Sequence, residues 1–254
     1  MTEGIALNNS RNAQHWGVLG TVLWGIGIAI VFIVIQTIFM VAYLSYGEVG
    51  LTDEQMRILI QAQESNGVFL SWAVLLTTVF CVPLIFGVAK LKRGSVLGQY
   101  LALKAIPLKA LGQWMGLTVL VIVVLDILTA ALGQPVVPEF MKTAYASADP
   151  VWLLWLAFVL AAPLSEELFF RGFLFKGLQR ALTPAGAIVV TAAIWAGIHV
   201  QYDLYGIGTI FILGLLLGAA RHRSNSIVPP LAMHALANVI ACTEAAFLVS
   251  GVVT

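Results

Sequence analysis

Apolar residues along this chain run in long blocks separated by short polar intervals. A bilayer-crossing helix needs about 20 predominantly apolar residues. The blocks at 17–45, 67–89, 111–132, 151–175, 185–201, 204–220 and 228–250 therefore predict seven spans. An eighth follows if 91–110 or 168–182 dips into the membrane. The region 185–220 is the weakest of these, because Gln201, Tyr202 and Asp203 interrupt it and leave each half barely long enough. The first block is longer than the roughly 7–15 apolar residues of a cleavable signal, and reads as a long or tilted first span.

Composition points the same way. The chain has 254 residues, of which 60% are hydrophobic and 10% charged, with a mean hydropathy of +0.97. Soluble domains carry about 25% charged residues, so this chain lacks the polar surface to face water all round. The expected class is all-α, a polytopic transmembrane bundle in contact with lipid. A net charge of +1 supplies no basic field for nucleic acid. Cys81 and Cys242 sit in apolar stretches and read as small hydrophobes.

Loop charges set the expected orientation. Lys90, Lys92, Arg93, Lys104 and Lys109 follow span two, Lys176 and Arg180 follow span four, and Arg221 and Arg223 follow span six. The intervening loops are poorer in bases: 47–66 holds Glu48, Asp53, Glu54 and Glu64 against Arg57. The N-terminus is thus expected in the cytoplasm. Short loops and small size point to a bacterial plasma membrane. The chain divides into a polar N-terminal segment 1–16, front helices 17–132, a loop 133–150 with Gln134, Pro135 and Pro138, and a back half 151–250 that holds the chemistry.

Charges at membrane depth cost roughly 2.5–3.5 kcal/mol each on insertion scales and are rare without a purpose. Span four nevertheless contains Pro163-Leu-Ser-Glu166-Glu167-Leu-Phe-Phe170-Arg171. Glu167 and Arg171 are four apart, with the acid N-terminal, the favourable order for a helical ion pair. Glu166 points elsewhere, which leaves it to face a cavity. Pro163 removes a backbone donor just before the pair and permits a bend. Two further elements follow: Trp195-Ala-Gly-Ile-His199, and His234-Ala-Leu-Ala-Asn238, whose ends share one helix face. A carboxylate and two imidazoles around a water make a workable hydrolytic site, with Asn238 able to orient a ring or donate to an oxyanion. The same side chains could ligate a divalent metal, although no HExxH pair or Cys/His zinc spacing is present.

The order EExxxR, aromatic-xxx-His and HxxxN on successive apolar helices resembles the CAAX protease and bacteriocin-processing (CPBP, or Abi) family of intramembrane proteases. The likeness covers about 150–245, and the first 130 residues show nothing specific to it. It implies endoproteolysis of a peptide or membrane-protein substrate by a glutamate-activated water, with no cofactor firmly required. Carried over, Glu166, His199, His234 and Asn238 are catalytic, Glu167 and Arg171 support them, and Trp195 and Phe170 wall the substrate pocket. One departure is visible: the family's usual aromatic in the second motif is Phe, and here it is Trp195. A non-proteolytic binding or self-immunity protein of the same fold is the alternative reading. A transporter would call for internal repeats, which the sequence does not show.

Bland roles are expected for the remaining polar residues. Asp126 and Glu244 read as structural or interfacial acids, Arg221-His222-Arg223 as a topology anchor, and Gly214 and Gly218 as close helix packing. Depth raises one difficulty. Glu166 and His234 count to the inner half of the membrane and His199 to an outer end. A common site needs a bent span four, a tilted span five or a re-entrant 185–203.

Overall fold

The computed structural model describes residues 15–45 and 52–251. The polar segment up to residue 14, and Glu48 in the first acidic loop, lie outside the described residues. Among the described residues every regular element is helical: α1 (Val18–Ser45), α2 (Asp53–Gln63), α3 (Gly67–Leu91), α4 (Leu97–Tyr100), α5 (Leu108–Ala131), α6 (Glu139–Ala146), α7 (Val151–Leu178), α8 (Pro184–Gly197), α9 (Leu204–Ser224) and α10 (Val228–Val249). Helices satisfy their own backbone polar groups, which is what hydrocarbon requires of a spanning segment. Their outer faces are apolar: Leu23, Ile26, Ile30 and Ile33 on α1, and Val119, Leu120, Val123 and Ile127 on α5, are all exposed.

Among the described residues six helices, α1, α3, α5, α7, α9 and α10, are long and apolar enough to cross a membrane. The seventh expected span is different. α8 has 14 residues, about 21 Å at 1.5 Å per residue, against about 30 Å of hydrocarbon. Pro184 at its first turn and the Thr183 hydroxyl, which accepts from the Gly186 N–H at 3.2 Å, start it. It stops at Gly197, and the segment 198–203 turns the chain back into α9, whose first turn is capped by Asp203. No eighth span forms: 91–110 holds only α4 and the start of α5, and 168–178 is the end of α7. The expected loop 133–150 contains α6, an eight-residue helix laid against α10 and α3.

Cross-chain bonds define the two ends of the bundle. At one end Trp16 Nε1 donates to the Val88 carbonyl at 3.0 Å, Ile227 N–H to the Ala102 carbonyl at 3.0 Å, and the Ser226 hydroxyl to the Lys104 carbonyl. This end gathers the basic segments 90–93, 104–109, 176–180 and 221–223. At the other, Gly67 N–H donates to the Ser147 hydroxyl at 2.9 Å and Thr129 pairs with the Tyr205 hydroxyl at 2.8 Å.

Near the basic end α1 lies directly on α7, because Gly177 lets Thr21 in: a Cβ built there would overlap the Thr21 side chain. Overpacking of this kind costs about 1–3 kcal/mol. Gly177→Ala is therefore expected to lower the thermal unfolding midpoint in detergent. An unchanged midpoint would show that α1 moves away without penalty.

Candidate active site

α7 is the irregular helix of the bundle, and a proline sits between its irregular stretches. Two π-helical stretches, Leu156–Ala161 and Leu168–Leu174, flank a short α-helical Ala162–Glu167. In the first stretch the Ala162 N–H bonds back to the Ala157 carbonyl. The next donor in that series would be residue 163, and Pro163 has no N–H. The Phe158 carbonyl is thus left for another donor, and Asn238 Nδ2 on α10 supplies it at 2.6 Å. Asn238 consequently ties α10 to α7 and keeps one further amide hydrogen. It does not orient the His234 ring.

That task falls to Glu167. Its Oε1 accepts from Arg171 Nη1 at 3.0 Å and lies 3.0 Å from His234 Nδ1. Glu167 and Arg171 side chains are both 0% exposed, and His234 is buried. Arg171 Nη2 also donates to the Gly214 carbonyl at 3.2 Å, and its guanidinium lies 4.7 Å from the centre of the Trp195 ring. The charges cancel inside the bundle, as a buried pair must if it is to be tolerated. A carboxylate only accepts, so His234 Nδ1 bears the proton.

His199 is fixed differently. α8 ends at Gly197, and the His199 N–H turns to the Ala196 carbonyl at 3.1 Å. This leaves the Trp195 carbonyl among the unmatched acceptors of a helix C-terminus. His199 Nδ1 lies 2.6 Å from it. A carbonyl also only accepts, so His199 carries its proton on Nδ1 and its Nε2 lone pair is left over. Glu166 is half-buried, and its Oε2 accepts from Trp195 Nε1 at 2.5 Å.

Glu166, His199, His234 and Asn238 line one cavity of about 220 Å³, together with Trp195 and the loop residues Gln201 and Tyr202. The depth difficulty is resolved by the shortness of α8 and the widening of α7. The turn 198–203 closes over the cavity, and Trp195, one turn before His199, reaches Glu166 directly. Phe170 is not part of the wall. It is 3% exposed, packed edge-on to Phe169 and beside the Arg171 guanidinium, because it lies in the π-helical stretch that faces the protein core. Trp195 does line the cavity, but as a hydrogen-bonding side chain and not only as an aromatic wall.

A second cavity of about 430 Å³ adjoins the first and shares Asn238, Tyr202, Phe140 and Met141 with it. Asp126 and Glu244 line it from α5 and α10. Arg221, expected as a topology anchor, is held inside the protein. It is 1% exposed, with Nε donating to the Arg171 carbonyl at 2.8 Å and the guanidinium 5.3 Å from the Phe175 ring centre. His222 and Arg223 are exposed. Among the described residues no three His, Cys, Asp or Glu side chains are grouped to hold a metal ion.

Several site contributors carried no sequence signal of their own. The Phe158 and Gly214 carbonyls are backbone groups, legible only through the partners that claim them. Phe140 and Met141 come from a segment read as a loop. The one usable hint was Pro163, five residues after Phe158.

The comparisons agree with the motif reading. Residues 148–240 match the family model described as type II CAAX prenyl endopeptidase Rce1-like. The resemblance to the CPBP proteases is thereby borne out for the back half, and all six motif residues fall inside the match. A curated Escherichia coli protein, described as an uncharacterized 24.3 kDa protein, is 29% identical over 194 residues, covering 71% of this chain and 82% of the relative. No solved structure matches the chain. The protein is an integral membrane protein whose residues 148–240 are similar to a CAAX-protease domain.

Proposed function

We propose that this protein is an intramembrane endopeptidase in which Glu166 activates the attacking water. The observation that carries this reading is the meeting of Glu166, His199, His234 and Asn238 on one cavity inside the bundle. Glu166 takes a proton from the water while His199 Nε2 accepts the other hydrogen and aims the oxygen. The hydroxide adds to the scissile carbonyl carbon. The resulting oxyanion accepts a hydrogen bond from the remaining amide hydrogen of Asn238, beside the His234 ring that Glu167 holds at Nδ1. Collapse of the tetrahedral intermediate breaks the C–N bond, and the proton held by Glu166 passes to the leaving amine. Substrates of this reading are membrane-associated or lipidated peptides, since the cavity lies among lipid-exposed helices. On this reading the basic end of the bundle faces the cytoplasm of a bacterial cell, as the loop charges favour, with the N-terminus on that side.

The test is hydrolysis of quenched-fluorescent peptides, with and without a C-terminal prenyl group, by the purified protein in liposomes. His199→Ala is expected to lower kcat by roughly 10²-fold with an unchanged unfolding midpoint. Folded wild-type protein that hydrolyses neither peptide class would sink the reading.

A further inference from the structure

The second motif departs from its family's usual pattern at Trp195, and the structure gives that departure chemical content. A phenylalanine ring has no N–H, whereas the Trp195 indole donates to Glu166 Oε2 at 2.5 Å. Among the described residues this is the one hydrogen bond found for the Glu166 carboxylate. The donor is itself held on several sides. Trp195 is 2% exposed, and the Arg171 guanidinium lies 4.7 Å from its ring centre. The His199 and His234 rings meet it edge-on at 5.2 and 5.1 Å. Space for the indole comes from α9: a Cβ at Gly214 would sit 3.0 Å from Trp195 Cε3 and 3.0 Å from the Ala192 Cβ. The Gly214 carbonyl meanwhile receives Arg171.

We infer that Trp195, seated by Gly214, is a positioning residue that fixes which oxygen of Glu166 meets the water. With Oε2 held by the indole, Oε1 is the oxygen left to accept the proton. Three rotatable bonds would otherwise let a half-buried glutamate sample several rotamers. The same indole touches Arg171 and both imidazoles, so one rigid ring sets the spacing of the whole site. This inference rests on the reading of Glu166 as the base, and its test is chosen to separate the two.

Trp195→Phe keeps an aromatic ring and removes the donor. A reacting group misplaced by about 1 Å can cost 10²-fold, so kcat is expected to fall about 10- to 100-fold with KM unchanged. A second readout needs no activity. In protein carrying ¹⁵N-labelled indoles, the signal absent from Trp195→Phe identifies the Trp195 N–H. That signal is expected to shift in Glu166→Gln. An indole signal indifferent to Glu166→Gln would overturn the hydrogen bond. A shifted signal with unchanged kcat in Trp195→Phe would overturn the positioning role. Full cleavage by Glu166→Gln, with the indole signal shifted, would instead overturn the assignment of the base and leave the hydrogen bond standing.

Discussion

Glu166→Gln is expected to remove peptide cleavage almost entirely while leaving a folded protein. The amide has nearly the volume of the acid, and its side-chain oxygen can still accept from the Trp195 indole that now bonds Oε2. What it cannot do is take a proton from water. General base catalysis contributes about 10²–10⁴-fold, so the loss should be roughly 10³-fold, equivalent to about 4 kcal/mol of transition-state stabilisation. The check is kcat on a cleaved peptide, with the unfolding midpoint measured beside it. Retention of more than a tenth of wild-type kcat by folded Glu166→Gln would remove Glu166 from the chemistry. Glu166 is only half-buried and makes no ion pair among the described residues, so the change should not unfold the bundle.

The second large effect concerns stability and falls on the neighbouring acid's partner. Arg171→Met should destabilise the protein severely. Glu167 would keep its 0% exposure and lose the guanidinium that neutralises it. Breaking a buried pair from one side costs about 3–5 kcal/mol because a charge is left uncompensated. The Gly214 carbonyl would lose its donor as well. The double variant Glu167→Leu, Arg171→Met supplies the contrast. Replacing both partners by apolar groups is often neutral or stabilising, so much of the unfolding midpoint should return. Cleavage should not return, because His234 Nδ1 would have nothing to hold it at Glu167 Oε1. Unfolding in detergent and peptide hydrolysis, measured on all three proteins, decide the matter. Wild-type stability in Arg171→Met would show that Glu167 finds other compensation.

Much of this could be read along the chain because the membrane makes polarity expensive. Blocks of about 20 apolar residues have few structural options in hydrocarbon, so the helical bundle followed from composition and block length. The Glu167–Arg171 pair followed from four-residue spacing within one helix. The separation of Glu166 from that pair followed from the 100° step between adjacent residues. The seventh span was overcounted because apolar length alone does not say where a helix ends. Thr183 and Pro184 start α8 and Gly197 ends it after 14 residues, and nothing in hydropathy distinguishes a helix that enters from one that crosses.

The residue types of the site, their order and their approximate helices were thus determined by the sequence itself, since each sits within four residues of a motif partner. Only the tertiary structure decided how they are held. His234 was paired by sequence with Asn238, one turn away, but its Nδ1 goes to Glu167, 67 residues distant. Asn238 goes to Phe158, 80 residues distant, whose carbonyl is released by the π-helical turn at Pro163. Phe170 was drawn towards the pocket by its place in the motif, and the π-helical register turned it into the core. Trp195 meets Glu166 across 29 residues because Gly214, on a third helix, leaves room for the indole. Local spacing follows from the geometry of one helix. Which polar atom meets which across helices depends on where each helix ends, where it widens and how closely the next approaches, and packing alone settles those three things.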